Sequence, residues 1–436
     1  MNKKDIAVFT VIIIIAIAAI AVIPGFFNEN RSFNSKPTVK IIYPEYGSKV
    51  SKIVTITGSA SDPNGDQTVK QVEIRFNDTW EIVDGTNIWS YTWNIYDLEN
   101  GRYNISYRAW DGAVYSDIKY FELNVYNSEI VESDDHRWAV FIVAANFPKN
   151  NESKLGNGGL YLAEEMASYL IENCSYPTSN IVLLFDDGWI RRQNGFGSRF
   201  QTLQQRQHKY DITYAGATLE NVQTTLENVV NQANEFDDSE VFVYIASHGC
   251  GDNNLPVFGG KVFERSGIFL WDETIITDED LGDLLINLES RKTCIFVDAC
   301  YSGGFADKTI YNFPELFLFK SNLAQPGRVV ITGTSKYRVG YASTTRGPLF
   351  SLLWFEGITK KLADGFKPGL LNSGRPTRLR MFKDGKISVE ESFYYAKYML
   401  RNDLTLEDFS KMEPQINDQY PSKGLLKNND GLLLGQ

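Results

Sequence analysis

The chain has 436 residues, more than one hydrophobic core usually supports, so the sequence predicts two domains. A formal net charge of −11, with no basic stretch, argues against nucleic acid as a partner. Its four cysteines make neither a disulfide framework nor a zinc spacing, so neither a metal nor a cofactor is expected.

Residues 6–24 carry no charge and follow Lys3 and Lys4. Such a stretch is long enough to cross a hydrocarbon core as a helix, and the lysines should stay on the inner side. Residues 1–27 are therefore expected to be a single-pass transmembrane anchor with the remainder extracytoplasmic at the cell membrane. The competing reading is a cleaved signal peptide, but the apolar run ends in Pro24-Gly-Phe-Phe rather than in small residues. Residues 28–36 are a polar linker.

From Pro37 to about Tyr126 short alternating runs recur, among them Ile53-Val-Thr-Ile-Thr-Gly, Trp89-Ser-Tyr-Thr-Trp and Tyr103-Asn-Ile-Ser-Tyr. Asp62-Pro-Asn-Gly-Asp, Asn100-Gly and Asp111-Gly separate them as turns. About seven short strands in about ninety residues is the rhythm of an antiparallel β-sandwich, placed at 37–127. This segment resembles the immunoglobulin-like modules of microbial surface proteins, without an inter-sheet disulfide. Its Trp and Tyr residues are read as core rather than as a carbohydrate platform, and Asp62–Asp66 as a turn rather than a calcium site.

The second domain is placed at 134–436. A strand at 138–145 is followed by a helix from Leu160 to Glu172, with Leu160, Ala163, Met166 and Leu170 on one face. Asn180–Phe185 reads as a strand, 188–214 as a long polar exposed loop, and 217–233 as a helix. Then come two unbroken apolar runs, Glu240–Ser247 ending at His248-Gly249 and Thr293–Asp298 ending at Ala299-Cys300. Thr277 caps an acidic-headed helix between them, which makes a right-handed strand–helix–strand crossover. Arg328–Thr332 is another buried strand, a helix starts near Gly347, and Ser388 with Glu391 forms a capping box opening a last helix. The alternation predicts a mostly parallel sheet with helices on both faces.

This topology delivers His248 and Cys300 to one carboxyl edge, where open α/β folds place their sites. A thiol acts as a nucleophile in its thiolate form, and a neighbouring imidazole can take its proton. The backbone amides of Gly249 and Cys300 are candidate oxyanion donors. The bland alternative is a core histidine and a small buried thiol. Against it, both residues end strands at glycine-rich turns.

Ser247-His248-Gly249 and Asp298-Ala-Cys300-Tyr-Ser-Gly resemble the caspase-fold (clan CD) cysteine peptidases. The opening Arg137-Trp-Ala-Val-Phe-Ile-Val-Ala-Ala-Asn146 is most similar to the legumain family. The resemblance implies a caspase-like α/β fold and a His248–Cys300 dyad that cleaves polypeptide substrates. It also places Asp298, two before the nucleophile, in the primary specificity pocket, where a carboxylate attracts Arg or Lys. By the same resemblance Ser335 lines that pocket, and Asn150 matches the residue that orients the histidine in legumains. Legumains accept Asn with the help of an added arginine; none lies between Asn146 and Tyr161 here. A transpeptidase or ligase, using the same thioester, and an inactive surface-binding protein remain as alternatives.

Overall fold

The computed structural model describes residues 34–76, 78–96, 98–127, 136–147, 154–251, 265–306, 323–368, 376–378, 382–421 and 431–436. The expected anchor and Asn150 lie outside them, as does most of the linker. Among the described residues no helix is long and apolar enough to cross a membrane. The chain divides into two compact units, the larger of which contains Glu122–Gln436.

The β-rich segment holds a four-stranded sheet, including Thr38–Tyr43, Ile53–Ser61 and Ile88–Asn94, and a five-stranded sheet, including Gln71–Arg75, Gly101–Trp110 and Lys119–Val125. Val72, Ile74, Trp89, Ile105 and Leu123 are buried, as the alternation requires. Gly58 has no room for a side chain, since a Cβ there would stand 2.1 Å from the Trp89 ring. Asp62 serves a turn: its Oδ1 accepts from Asn64 N at 2.7 Å and its carbonyl from Gly65 N at 2.9 Å. Not every aromatic is core. Trp80 lies under both Arg75 and Arg108, and Arg108 also covers Tyr115, 3.8 Å from its centroid, while pairing with Glu73.

The α/β part runs β1 (Arg137–Ala144), α1 (Gly158–Cys174), β2 (Ile181–Phe185), β3 (Thr213–Ala215), α2 (Leu219–Ala233), β4 (Glu240–Ser247), α3 (Asp278–Leu284), β5 (Lys292–Asp298), β6 (Arg328–Thr332), α4 (Leu349–Thr359), α5 (Val389–Asn402) and β7 (Gln415–Asp418). Its seven strands lie in the order β3-β2-β1-β4-β5-β6-β7. All neighbours are parallel except β6 and β7. The continuous apolar runs follow from burial on both faces. Phe141, Leu183, Tyr244 and Phe296 face α1, α4 and α5; Val140, Leu184, Val243 and Ile295 face α2 and α3. Capping boxes open α3 at Thr277 and α5 at Ser388.

One expectation fails. Residues 188–214 are not a loop without regular structure: Trp189–Arg191 and Arg199–Thr202 form an antiparallel hairpin, and Thr213–Ala215 adds the edge strand β3. The cause is the buried Asp187 carboxylate, which takes Arg191 at 2.7 Å and Arg199 at 2.6 Å and so fastens both hairpin strands.

Candidate active site

The strand order reverses between β1 and β4, the position at which doubly wound sheets open a crevice at their carboxyl edge. Ala144 pairs with Ser247, and Ala246 with Asp298. His248 and Cys300 therefore leave adjacent parallel strands at equal height, each two residues past a paired position. Gly249 approaches the nucleophile turn so closely that a Cβ on it would stand 1.9 Å from the Cys300 carbonyl oxygen. No other residue type fits there. His248 is half-buried, its ring 5.3 Å from Phe147 and its carbonyl accepting from Phe269 N at 3.0 Å.

Cys300 is half-buried and Tyr301 after it holds a left-handed φ of 58°. Such a conformation in a bulky residue needs support from its surroundings. The loop Gly333–Tyr341 supplies it. Tyr301 N donates to Arg338 O at 2.8 Å, Thr334 Oγ1 donates to Ala299 O at 2.9 Å, and Ser302 N donates to Thr334 Oγ1 at 3.1 Å. Gly340 N then reaches the sulfur itself, 3.2 Å from Sγ. Burial pushes the Cys300 thiol up, the Gly340 amide pulls it down, and the Asp298 charge raises it again.

Asp298 is buried at the end of β5. Its Oδ2 accepts from Ser351 N at 2.9 Å and Ser351 Oγ at 2.6 Å, and Ser351 Oγ in turn contacts Tyr244 OH at 3.0 Å. Oδ1 faces Gly333, where a Cβ would come within 2.0 Å. Among the described residues no cation pairs with it, and burial pushes its pKa up to about 6 against the pull of the Ser351 bonds. A carboxylate so placed is left without the opposite charge that would stabilise it.

Ser335 follows Gly333 by two residues in the same loop. Its N donates to Met412 O at 3.0 Å and its hydroxyl faces Glu413 Oε2 at 3.4 Å. Two features at the same edge carry no sequence pattern that names them. Gly340 acts only through its backbone. Asn146 is buried at the end of β1, where it accepts from Gly156 N at 3.1 Å and donates to Asp186 Oδ2 at 2.7 Å. Asp186 also takes Ala145 N at 2.6 Å, and burial pushes its pKa up to about 6. The signal for this pair was its position, since a polar residue directly after a buried strand at the switch point is out of place unless it binds something. The cysteines Cys174, Cys250, Cys294 and Cys300 are free. Among the described residues no cluster of His, Cys, Asp and Glu could hold a metal ion.

The sheet brings a strand-end histidine and a strand-end cysteine to one carboxyl edge, an arrangement in which an imidazole could take a thiol proton. The family model described as "Bacterial Ig domain" matches residues 37–106. No curated protein matches the chain. Among solved structures, the chain is similar to caspase-1 from Spodoptera frugiperda, at 10% identity over 65% of this chain and 86% of that one, TM-score 0.35. It is also similar to the endo-β-1,4-mannanase from Thermotoga petrophila, at 15% identity over 23% of this chain, TM-score 0.20; the match spans 22% of the mannanase. A third similarity, at 23% identity, is to the fibronectin(III)-like modules of Clostridium thermocellum CbhA, over 21% of this chain and 100% of that one, TM-score 0.17. The chain thus carries a bacterial immunoglobulin-like domain and has a caspase as a structural neighbour.

Proposed function

We propose that the α/β part is a cysteine endopeptidase with a His248–Cys300 dyad, and that residues 6–24 hold it at the outer face of the cell membrane. The carrying observation is the register of β4 and β5, which brings His248 and Cys300 to one edge at equal height. In the reaction His248 takes the thiol proton, Sγ bonds to the scissile carbonyl carbon, and the Gly249 and Cys300 amides receive the oxyanion. The C–N bond then breaks as His248 returns the proton to the leaving amine. Water, with His248 again as base, hydrolyses the thioester. An amine in place of water would give ligation through the same intermediate.

The substrate side chain before the scissile bond is Arg or Lys in this proposal. Asp298 supports it as a buried carboxylate whose described partners are neutral, so a substrate guanidinium would supply the missing charge. The reading that the fold is retained but idle draws on the raised thiol of Cys300. A peptide library analysed by mass spectrometry separates these. Cleavage after Arg and Lys is expected, cleavage after Asn alone would overturn the specificity, and no cleavage by the full chain would favour the idle reading. Joined peptides would mark a ligase.

A further inference from the structure

One short strand is fastened to both halves of the proposed dyad. Gly267–Phe269 pairs antiparallel with Gly249–Cys250, directly after His248, and Phe269 N donates to His248 O at 3.0 Å. Ser247 Oγ donates to Phe269 O at 2.5 Å, so the chain on either side of the imidazole is tied to this strand. At the head of the strand stands Ser266, 1% exposed. Its hydroxyl donates to Tyr301 O at 2.6 Å and accepts from Gly304 N at 2.8 Å. Both bonds reach the nucleophile turn, 35 and 38 residues further along the chain. A serine needs only nearby backbone to satisfy its hydroxyl; this one joins two distant segments instead.

The bond to Tyr301 acts beside the nucleophile. Tyr301 keeps its left-handed φ of 58° only because its surroundings hold it there. Arg338 O takes its N–H, and Ser266 Oγ takes its carbonyl. The Cys300 carbonyl just before it lies against Gly249, where a Cβ would stand 1.9 Å away. Relaxation of Tyr301 therefore shifts the Cys300 backbone where it meets the residue after His248. The fit around Ser266 is close, since a Cβ on Gly304 would stand 2.4 Å from its Oγ.

We propose that Ser266 is a positioning residue for the nucleophile: its hydroxyl locks the Tyr301 turn to the strand that holds His248, and so sets the thiol beside the imidazole. The inference rests on the peptidase reading for the reaction, whereas the two bonds stand without it. Ser266 touches no reacting atom and acts through Tyr301.

The test is the pH dependence of Cys300 alkylation by iodoacetamide in the full chain, mapped by mass spectrometry, with peptide cleavage measured alongside. An imidazole beside the thiol lets the thiolate form at lower pH, so His248→Ala is expected to move the alkylation limb upward by about one unit or more. Ser266→Ala should move it the same way, with alkylation at pH 6.5 slowed at least about tenfold and the circular dichroism spectrum unchanged. The Asp298 charge that also acts on the thiol is common to all these chains. Should Ser266→Ala fail to fold, Gly304→Ala carries the same test, because its methyl displaces the hydroxyl and should shift the limb likewise. A folded Ser266→Ala variant on the wild-type limb would overturn the proposal and leave the dyad standing. A wild-type limb no lower than that of His248→Ala would remove the dyad itself, and the proposal with it. If the limb shifts as expected while no peptide is cut, Ser266 keeps its role and the peptidase reading falls.

Discussion

Two residues at the site are constrained by their surroundings, one by space and one by burial. Gly249 is one, because a Cβ would stand 1.9 Å from the Cys300 carbonyl oxygen, which belongs to the backbone and can move only by displacing the nucleophile turn. Gly249→Ala is expected to lower kcat/KM by about a hundredfold while leaving the circular dichroism of the chain unchanged, since a displacement of ~1 Å at a reacting group has that effect. Unchanged turnover would show that this contact does not position Cys300. Asp298 is the other. Burial raises its pKa to about 6, so its negative charge is present above that value and lost as pH falls through it. The ratio of Arg-peptide to Gln-peptide turnover should therefore fall as pH drops from 7.5 to 5, whatever the dyad itself does to both rates. A pH-independent ratio would mean that Asp298 does not meet the substrate side chain.

At the scale of elements, legibility in the sequence followed burial. β1, β2, β4, β5 and β6 read as strands because both faces of each are covered, so nearly every residue is apolar. The helix α3 read from its N-cap and acidic first turn and α5 from its capping box, and the structure shows a capping box at the head of each. The hairpin of Trp189–Arg191 and Arg199–Thr202 did not read, because what pairs its strands is Asp187 reaching two arginines, a tertiary event with no period. β7 is Gln-Ile-Asn-Asp, too polar and short to signal a strand, and it exists because β6 offers an open edge. The site divides in the same way. His248, Gly249, Cys300 and Asp298 stand at strand ends that can be read, whereas Gly340 meets the sulfur through a backbone amide that only folding brings there. The cap at Ser388 gives a test at this scale. Ser388→Ala loses the bond to Glu391 N and should destabilise the fold by about 1 kcal/mol with peptidase activity unchanged at 25 °C, measured by chemical unfolding. No change in stability would show that the cap is not holding α5.

For the whole molecule, buried carboxyl groups set the response to pH. Burial raises Asp186 and Asp298 to about 6 and Glu390 to about 7, and it also raises Glu240 and Glu391. A carboxyl with a raised folded pKa stabilises the fold below its unfolded value, and that contribution is lost as pH rises through the folded pKa. A tenfold difference in acid dissociation constant between the folded and unfolded chain corresponds to about 1.4 kcal/mol. The exposed carboxylates that are lowered, Asp111 and Asp403 among them, act in the opposite sense but are screened by solvent. Thermal unfolding should thus show a higher midpoint at pH 5 than at pH 8, and the reverse order would mean these groups are solvated or paired in the fold. That one sheet edge makes His248 and Cys300 a working pair is tested most directly by covalent labelling. An Arg-containing peptidyl acyloxymethyl ketone is applied at neutral pH, and the modified peptide is mapped by mass spectrometry. One label is expected, on Cys300, lost in Cys300→Ala and slowed at least about a hundredfold in His248→Ala. A label on Cys250, or one on Cys300 that forms as fast without His248, would contradict that pairing.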